Sequence, residues 1–163
     1  MSAISQRIDA IVRQALAQPL KEQGFERQGR SFRRAEGGGR IAVLQVQGSK
    51  WNYGDRGRFT VNLGIWQPMP GQPLLQRPKE YECQTRQRIG FLLPEYRQDH
   101  WWQLDAHTDD AAMAQALRQA VLEHGLPWFE AQRPPAVTQR AEGWLTRLRR
   151  WLQQRMRHDQ RSD

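Results

Sequence analysis

Gln45, Gln47, Thr60, Asn62, Trp66, Arg86 and Arg88 are the side chains of this sequence whose types and spacing come closest to a recognition surface. Within each stretch they are separated by even numbers of residues, so extended backbone would project each group from one face. Amides supply both donors and acceptors, and guanidiniums supply forked donors. Together such groups can hold a carboxylate, a phosphate or a peptide backbone. They can instead close on one another as an internal hydrogen-bond network. Either outcome requires the segment bearing Arg86 and Arg88 to pair beside the one bearing Thr60 and Asn62.

A second recognition element is the stretch GSKWNYGDRG, Gly48 to Gly57, which joins two strand-like runs that a two-residue turn could join. It carries Trp51 and Tyr53. Long aromatic connections are enriched in binding function. Against this, each aromatic ring gains by burying about 150 to 250 Å², so the favoured expectation is that both rings fold back and roof the polar end of the sheet. Gly48-Ser49-Lys50 is not a phosphate loop, because it lacks the second glycine at the required spacing and leads toward a strand.

Basic residues outnumber acidic ones by 25 to 17, for a formal charge of +8, which favours attraction to nucleic acid, anionic lipid or an acidic protein. Arg30, Arg33 and Arg34 form one basic group, and Arg147, Arg149, Arg150, Arg155 and Arg157 form another. Arg30, Arg33, Arg34, Arg147 and Arg150 are the nucleic-acid-binding alternative. The second group lies beside Trp144, Leu148, Trp151 and Leu152, a stripe that a basic amphipathic helix can pack on its own domain or present to lipid, nucleic acid or a partner.

Little in the chain points to catalysis. His107 lies in Asp105-Ala106-His107-Thr108-Asp109-Asp110, where Thr108 or Asp109 can cap the following helix and the remaining acids suit its dipole. His100 and His124 add no ligand spacing, and the lone Cys83 cannot make a thiolate zinc site or an internal disulfide. Neither Ser31 nor Ser49 lies in a nucleophile elbow. No catalytic residue, metal or cofactor is therefore expected. Arg7, Asp9 and Arg13 interrupt the first twenty residues, leaving no signal-peptide core or membrane span there, so the expected compartment is the cytoplasm.

The elements that must position these groups follow from periodicity. Ile4, Ile8, Ile11, Val12, Ala15, Leu16 and Leu20 predict a helix from Ser5 to about Gln18, ended or bent by Pro19 and terminated before Phe25 by Gly24. From Phe25 the period becomes two, with strands predicted at Arg30 to Arg34, Arg40 to Gln47 and Arg58 to Gln67 in an antiparallel meander. Phe59, Val61, Leu63 and Ile65 share the face that meets the helices, while Thr60, Asn62, Gly64 and Trp66 share the other. Ile41 and Val43 make the second strand apolar on both sides at its start. Pro68, Pro70, Pro73 and Pro78 make Gln67 to Glu82 an irregular crossover. Further strands are expected near Cys83 to Ile89 and at Trp101 to Asp105. A helix at Asp109 to Glu123, stopped by Gly125 and Pro127, and a last one from Thr138 to about His158 complete the reading.

The order of Gly24-Phe25, Arg30-Ser31-Phe32-Arg33-Arg34, the Gln47 to Lys50 turn, Phe59 to Ile65, Arg88-Ile89-Gly90, Trp101-Trp102 and Leu126-Pro127-Trp128-Phe129 resembles the bacterial domain-of-unknown-function family 4304. The resemblance covers about Ile8 to Glu130 and implies a fold without implying an activity. The expected architecture is a single α+β domain over 1–133, with a mainly antiparallel four- or five-stranded sheet covered on one face by helices. An Arg-rich helical extension would follow over 134–163. The expected function is non-enzymatic binding through the polar sheet face and the Trp51/Tyr53 loop, with arginines recognising an acidic group on an unidentified partner. Nucleic-acid binding and neutralisation of a toxin partner are the alternatives.

Overall fold

The structure of the protein, a computed structural model, describes residues 2–134. The predicted helix over 138–158, with Arg147 and Arg150, lies outside the described residues.

Ala3–Glu22 forms α1, capped by Ser2, whose hydroxyl accepts the Ser5 amide at 3.3 Å. Its predicted apolar stripe is buried from Ile4 to Leu20. Each large side chain there contributes about 1.5 to 3 kcal/mol of burial. The helix does not end at Pro19 but runs on to Glu22. So near the C-terminus the missing N–H forfeits a single intrahelical bond, and the ring is itself buried against the core. Gly24 then closes the helix with φ +80°, and the Phe25 amide donates back to the Leu20 carbonyl at 2.9 Å.

Six strands follow: β1 (Glu26–Gln28), β2 (Ser31–Ala35), β3 (Ile41–Gly48), β4 (Gly57–Trp66), β5 (Thr85–Arg88) and β6 (Trp102–Leu104). All pairings are antiparallel, in the order β1-β2-β3-β4, and both β5 and β6 pair with the remaining edge of β4. The sheet has one strand more than the four or five expected. The extra strand, β1, is fully exposed and polar, so no hydrophobic alternation announces it.

Helix α2 (Asp110–Ala120) leads through a π turn at Val121–Gly125 into α3 (Leu126–Ala131). Gly125 and Pro127 were expected to stop this helix, and they do not. In the π turn the Leu126 amide reaches back to the Val121 carbonyl, one residue further than in an α-helix. Pro127 thereby falls in the first turn of α3, where its missing N–H costs little.

The expected two-layer arrangement is present. Phe32, Leu44, Phe59, Val61, Leu63 and Ile65 form the sheet side of one continuous core, with α1, α2 and α3 packed against that face. Phe59 stacks on Trp102 at 5.5 Å and Phe25 meets Phe129 at 5.7 Å. On the opposite face Val43, Trp66 and Cys83 make a smaller apolar cluster with Ile41 and Leu75, so one half of that face is roofed by the proline-rich crossover. No helix among the described residues is long and apolar enough to cross a membrane.

This roof presses closely on β4. A Cβ at Gly64 would stand 2.7 Å from Cys83 Sγ and 2.8 Å from its Cβ. The Gly64→Ala variant is expected to lose about 1 to 3 kcal/mol in chemical denaturation. An unchanged midpoint would mean that the crossover does not rest on the strand.

Candidate binding site

The even-numbered side of β4 is where the predicted polar groups meet. Gln45 lies opposite Asn62, Gln47 opposite Thr60, Asn62 opposite Arg88, and Gly64 opposite Arg86. β5 and β6 occupy successive stretches of one β4 edge, pairing at Asn62 to Ile65 and at Gly57 to Phe59. In the gap between them the Thr60 hydroxyl donates to the His100 carbonyl at 2.8 Å. The expected register is therefore present, but Thr60 and Asn62 are 0% and 6% exposed.

Asn62 is the centre of a hydrogen-bonded chain. Its Nδ2 donates to Gln47 Oε1 at 2.7 Å, and its Oδ1 accepts from Arg88 Nε at 3.1 Å. Arg88 Nη1 then donates to Asp99 Oδ2 at 2.7 Å, and the same oxygen accepts Trp101 Nε1 at 3.0 Å. The Trp101 indole also meets two guanidiniums, with Arg58 at 5.1 Å and Arg88 at 5.5 Å from its ring. Burial would raise the Asp99 carboxyl, but the hydrogen bonds from Arg88 and Trp101 and the charges of Arg88 and Arg58 bring it below the ordinary range. This is the internal network, realised along one line of the sheet.

Other predicted groups are also engaged. Trp66 is buried beneath the crossover, and Arg86 forks onto the buried Glu80 carboxylate at 2.8 and 3.1 Å. That carboxylate holds Arg86 protonated more firmly than usual. Cys83, in the same layer, has its thiol pushed by burial up to about 12, which leaves it unreactive as a nucleophile.

The Gly48 to Gly57 connection differs from the favoured expectation. Trp51 and Tyr53 do not roof the sheet; they are 75% and 87% exposed. The loop gains its order without them. Ser49 N–H donates to the Arg58 carbonyl, and Tyr53 and Arg56 exchange two backbone hydrogen bonds of 3.0 Å. The Asn52 side chain accepts the Arg58 amide at 2.9 Å and donates to the Arg58 carbonyl at 3.2 Å, standing in for a strand backbone. With its polar groups satisfied this way, the tip holds both rings in solvent. Trp51, Asn52, Arg56, Arg58, Gln103 and Asp105 line a depression of about 570 Å³ beside it.

Arg58 links this depression to Trp101. Its guanidinium rests on the indole and makes no hydrogen bond among the described residues. Arg58 shares parity with Thr60 and Asn62 and was legible by that rule. Trp101 and Gln103 depend on a three-residue strand, and Asp99 has no local signal at all.

The proposed nucleic-acid arginines are tied inward or along the sheet. Arg30 donates to Asp9 Oδ1 at 2.6 Å and to Ser5, joining the turn before β2 to α1. Arg34 faces the helices, pairs with Glu36 and Glu130 at 2.8 and 3.0 Å, and lies over Phe25 at 4.7 Å. Arg33 Nε donates to the Pro78 carbonyl at 2.7 Å. At the start of α2, Asp109 is the cap, and Asp105 accepts from the His107 amide and the Thr108 hydroxyl. Arg7 bonds Asp110 and two nearby carbonyls, so this acidic turn is a helix junction.

A family model, Domain of unknown function (DUF4304), matches residues 16–131, from within α1 to the end of α3. This chain belongs to that family. The DUF4304 span holds all six strands, the Asn62 chain and the Trp51 loop. No curated protein and no solved structure matches the chain.

Two outcomes follow from these pairings. The depressed Asp99 carboxyl contributes stability that is present above its ordinary value of 3.8 and is lost as pH falls through its folded value. Thermal melts of Asp99→Asn are expected to lose less stability than the unaltered protein as pH is lowered through and below 3.8; parallel losses would deny the pairing. Arg34→Ala is expected to cost about 3 kcal/mol, because it removes the little-exposed guanidinium that Glu36 and Glu130 share and its packing over Phe25, and a loss under about 1 kcal/mol would contradict that role.

Proposed function

We propose that this protein is a non-enzymatic binding protein whose partner is a protein presenting acidic side chains to the Trp51–Arg58 corner of the sheet. The observation that carries the reading is a pair of solvent-exposed rings, Trp51 and Tyr53, held on an ordered loop beside Arg56 and Arg58. Exposed rings of this size lose solvation and gain contact area when covered, and aromatic and arginine side chains are the commonest anchors of protein interfaces. Because Asn52 fixes the loop in advance, little ordering entropy opposes docking.

Within this reading the hydrogen-bonded chain from Gln47 through the buried Asn62 to Trp101 is support. It fixes the indole against which Arg58 lies, so the Arg58 fork is presented with few alternatives. A partner carboxylate would take that fork, and apolar partner groups would cover Trp51 and Tyr53. A reducing, cytoplasmic setting belongs to the proposal and is compatible with the single free thiol of Cys83.

Affinity capture from native lysate, with and without nuclease, tests it directly. A protein retained by the unaltered chain in both samples and lost by Trp51→Ala/Arg58→Gln is the expected result. Capture that disappears with nuclease would favour the nucleic-acid alternative, and equal capture by the double variant would overturn the site.

A further inference from the structure

Between the turn Ile89–Phe91 and β6 the chain runs as an irregular strap over 92–101. Its far end is fixed by backbone and network. Asp99 is bonded to Arg88 and Trp101, and the His100 carbonyl accepts the Thr60 hydroxyl. The backbone there sits so close to Gly90 that a Cβ on the glycine would stand 2.7 Å from His100 Cβ. The near part is different: Leu93 is buried, but Pro94, Glu95, Tyr96 and Arg97 are exposed.

A ring holds this exposed part down. The His100 imidazole stacks on Tyr96 at 3.7 Å with 13° between the planes, and it meets Trp102 edge-on at 4.8 Å and 83°. Arg97, between the two stacked residues, has φ +50° and is the one non-glycine among the described residues with a positive φ. Such a backbone is strained for an L side chain and persists only where its surroundings impose it. Here the Tyr96 and Arg97 amides both donate to the Leu93 carbonyl, at 3.1 and 3.0 Å, and the ring stack closes the turn. His100 Nε2 is nonetheless buried with no hydrogen-bond partner. Whichever nitrogen carries the hydrogen of the neutral ring, the imidazolium has an N–H on both, so protonation in place would bury a cationic donor without an acceptor.

We propose that the neutral His100 ring latches residues 93–97 and that its protonation releases them, so that this part of the strap opens in mild acid while Asp99 keeps the far end in place. Opening relaxes Arg97, uncovers the Tyr96 ring and widens the cavity of about 410 Å³ that Tyr96 and Trp102 line against α2. The charged surroundings set the direction. Within the strap Glu95 and Asp99 favour the imidazolium, although Asp99 already accepts from Arg88 and Trp101. On β4 Thr60 is uncharged, and Arg58 acts on Asp99. The Ile89–Phe91 turn and β6 carry no charge, and α2 and its π turn bring Glu123 and His124 to the cavity. Burial outweighs the two strap carboxylates and holds the His100 ring below its ordinary value of 6.5. The closed form therefore binds the proton less tightly than the open one. Its stabilisation is present in full above 6.5 and is lost as pH falls from there toward the closed-form value. The depressed Asp99 carboxyl stays ionised at such a pH, so the far anchor is kept.

Hydrogen exchange of the Tyr96 and Arg97 amides, corrected for the intrinsic pH dependence of exchange, reads the latch in the full chain between about pH 7.5 and 5.5. Protection of these two amides is expected to fall severalfold, at most about tenfold per pH unit, while the amides of β4 keep theirs. Followed by nuclear magnetic resonance in the same samples, the His100 ring is expected to titrate below 6.5. His100→Phe retains a stacking ring that takes no proton, so protection of Tyr96 and Arg97 in that variant is expected to be independent of pH, with the β4 amides verifying its fold. Where the larger ring disturbs the fold, the unaltered chain decides alone, through the ring titration and the two amides. Constant protection in the unaltered protein, a loss shared equally by β4, a ring midpoint at or above 6.5, or a folded His100→Phe protein whose strap still opens in acid would overturn the proposal.

Discussion

Pairing of β4 along both edges is the constraint from which the remaining arrangement follows. The strand is buried on both sides, and a shift of one residue would exchange Phe59, Val61, Leu63 and Ile65 with Thr60, Asn62, Gly64 and Trp66. That exchange would drive an amide and a hydroxyl into hydrocarbon and turn aliphatic side chains toward the polar layer. The penalty for an unsatisfied buried polar group is about 1 to 3 kcal/mol, so several at once would consume much of a typical domain's stability. Register here is enforced from both faces.

The second face is consequently divided. Toward the Ile41 and Trp66 end the crossover supplies an apolar lid, and Gly64 permits its close approach. In the middle, Asn62 cannot be left bare, and Gln47 and Arg88 use both ends of its amide. Arg88 in turn fixes Asp99, and Asp99 fixes Trp101. Satisfaction of one buried amide thus propagates outward until it reaches a ring at the surface. The two ends of this face carry arginines that form no ion pair among the described residues, Arg33 and Arg77 at one and Arg56 and Arg58 at the other.

Periodicity made the core faces of α1, β3 and β4 legible, because each alternation is long and its apolar members are large. Parity alone also grouped Gln45, Gln47, Thr60, Asn62, Arg86 and Arg88, and the pairing of β5 beside β4 realised that grouping. Sequence could not say whether the group would be open or covered. That depended on residues 67–101, whose irregular backbone carries no period. Arg34 is a different case: grouping it with Arg33 as one basic surface overlooked the alternation of the predicted strand, which sends the two to opposite faces. Trp51 and Tyr53 were misjudged for a different reason. The order of their loop comes from the Asn52 side chain acting as backbone, which removes the need for the rings to anchor it. At the helix end, the π turn neutralised the breaking power of Gly125 and Pro127 through a bond that local propensity does not encode.

The central claim is that the sheet's polar face is internally committed through Asn62 to Trp101, while the Trp51 loop is presented to solvent. Indole N–H exchange, followed residue by residue by nuclear magnetic resonance, measures this division most directly. Trp101, bonded to Asp99, is expected to exchange far more slowly than Trp51, and Asn62→Ala is expected to accelerate Trp101 while leaving Trp51 unchanged. Equal exchange at both indoles in the unaltered protein would contradict the account.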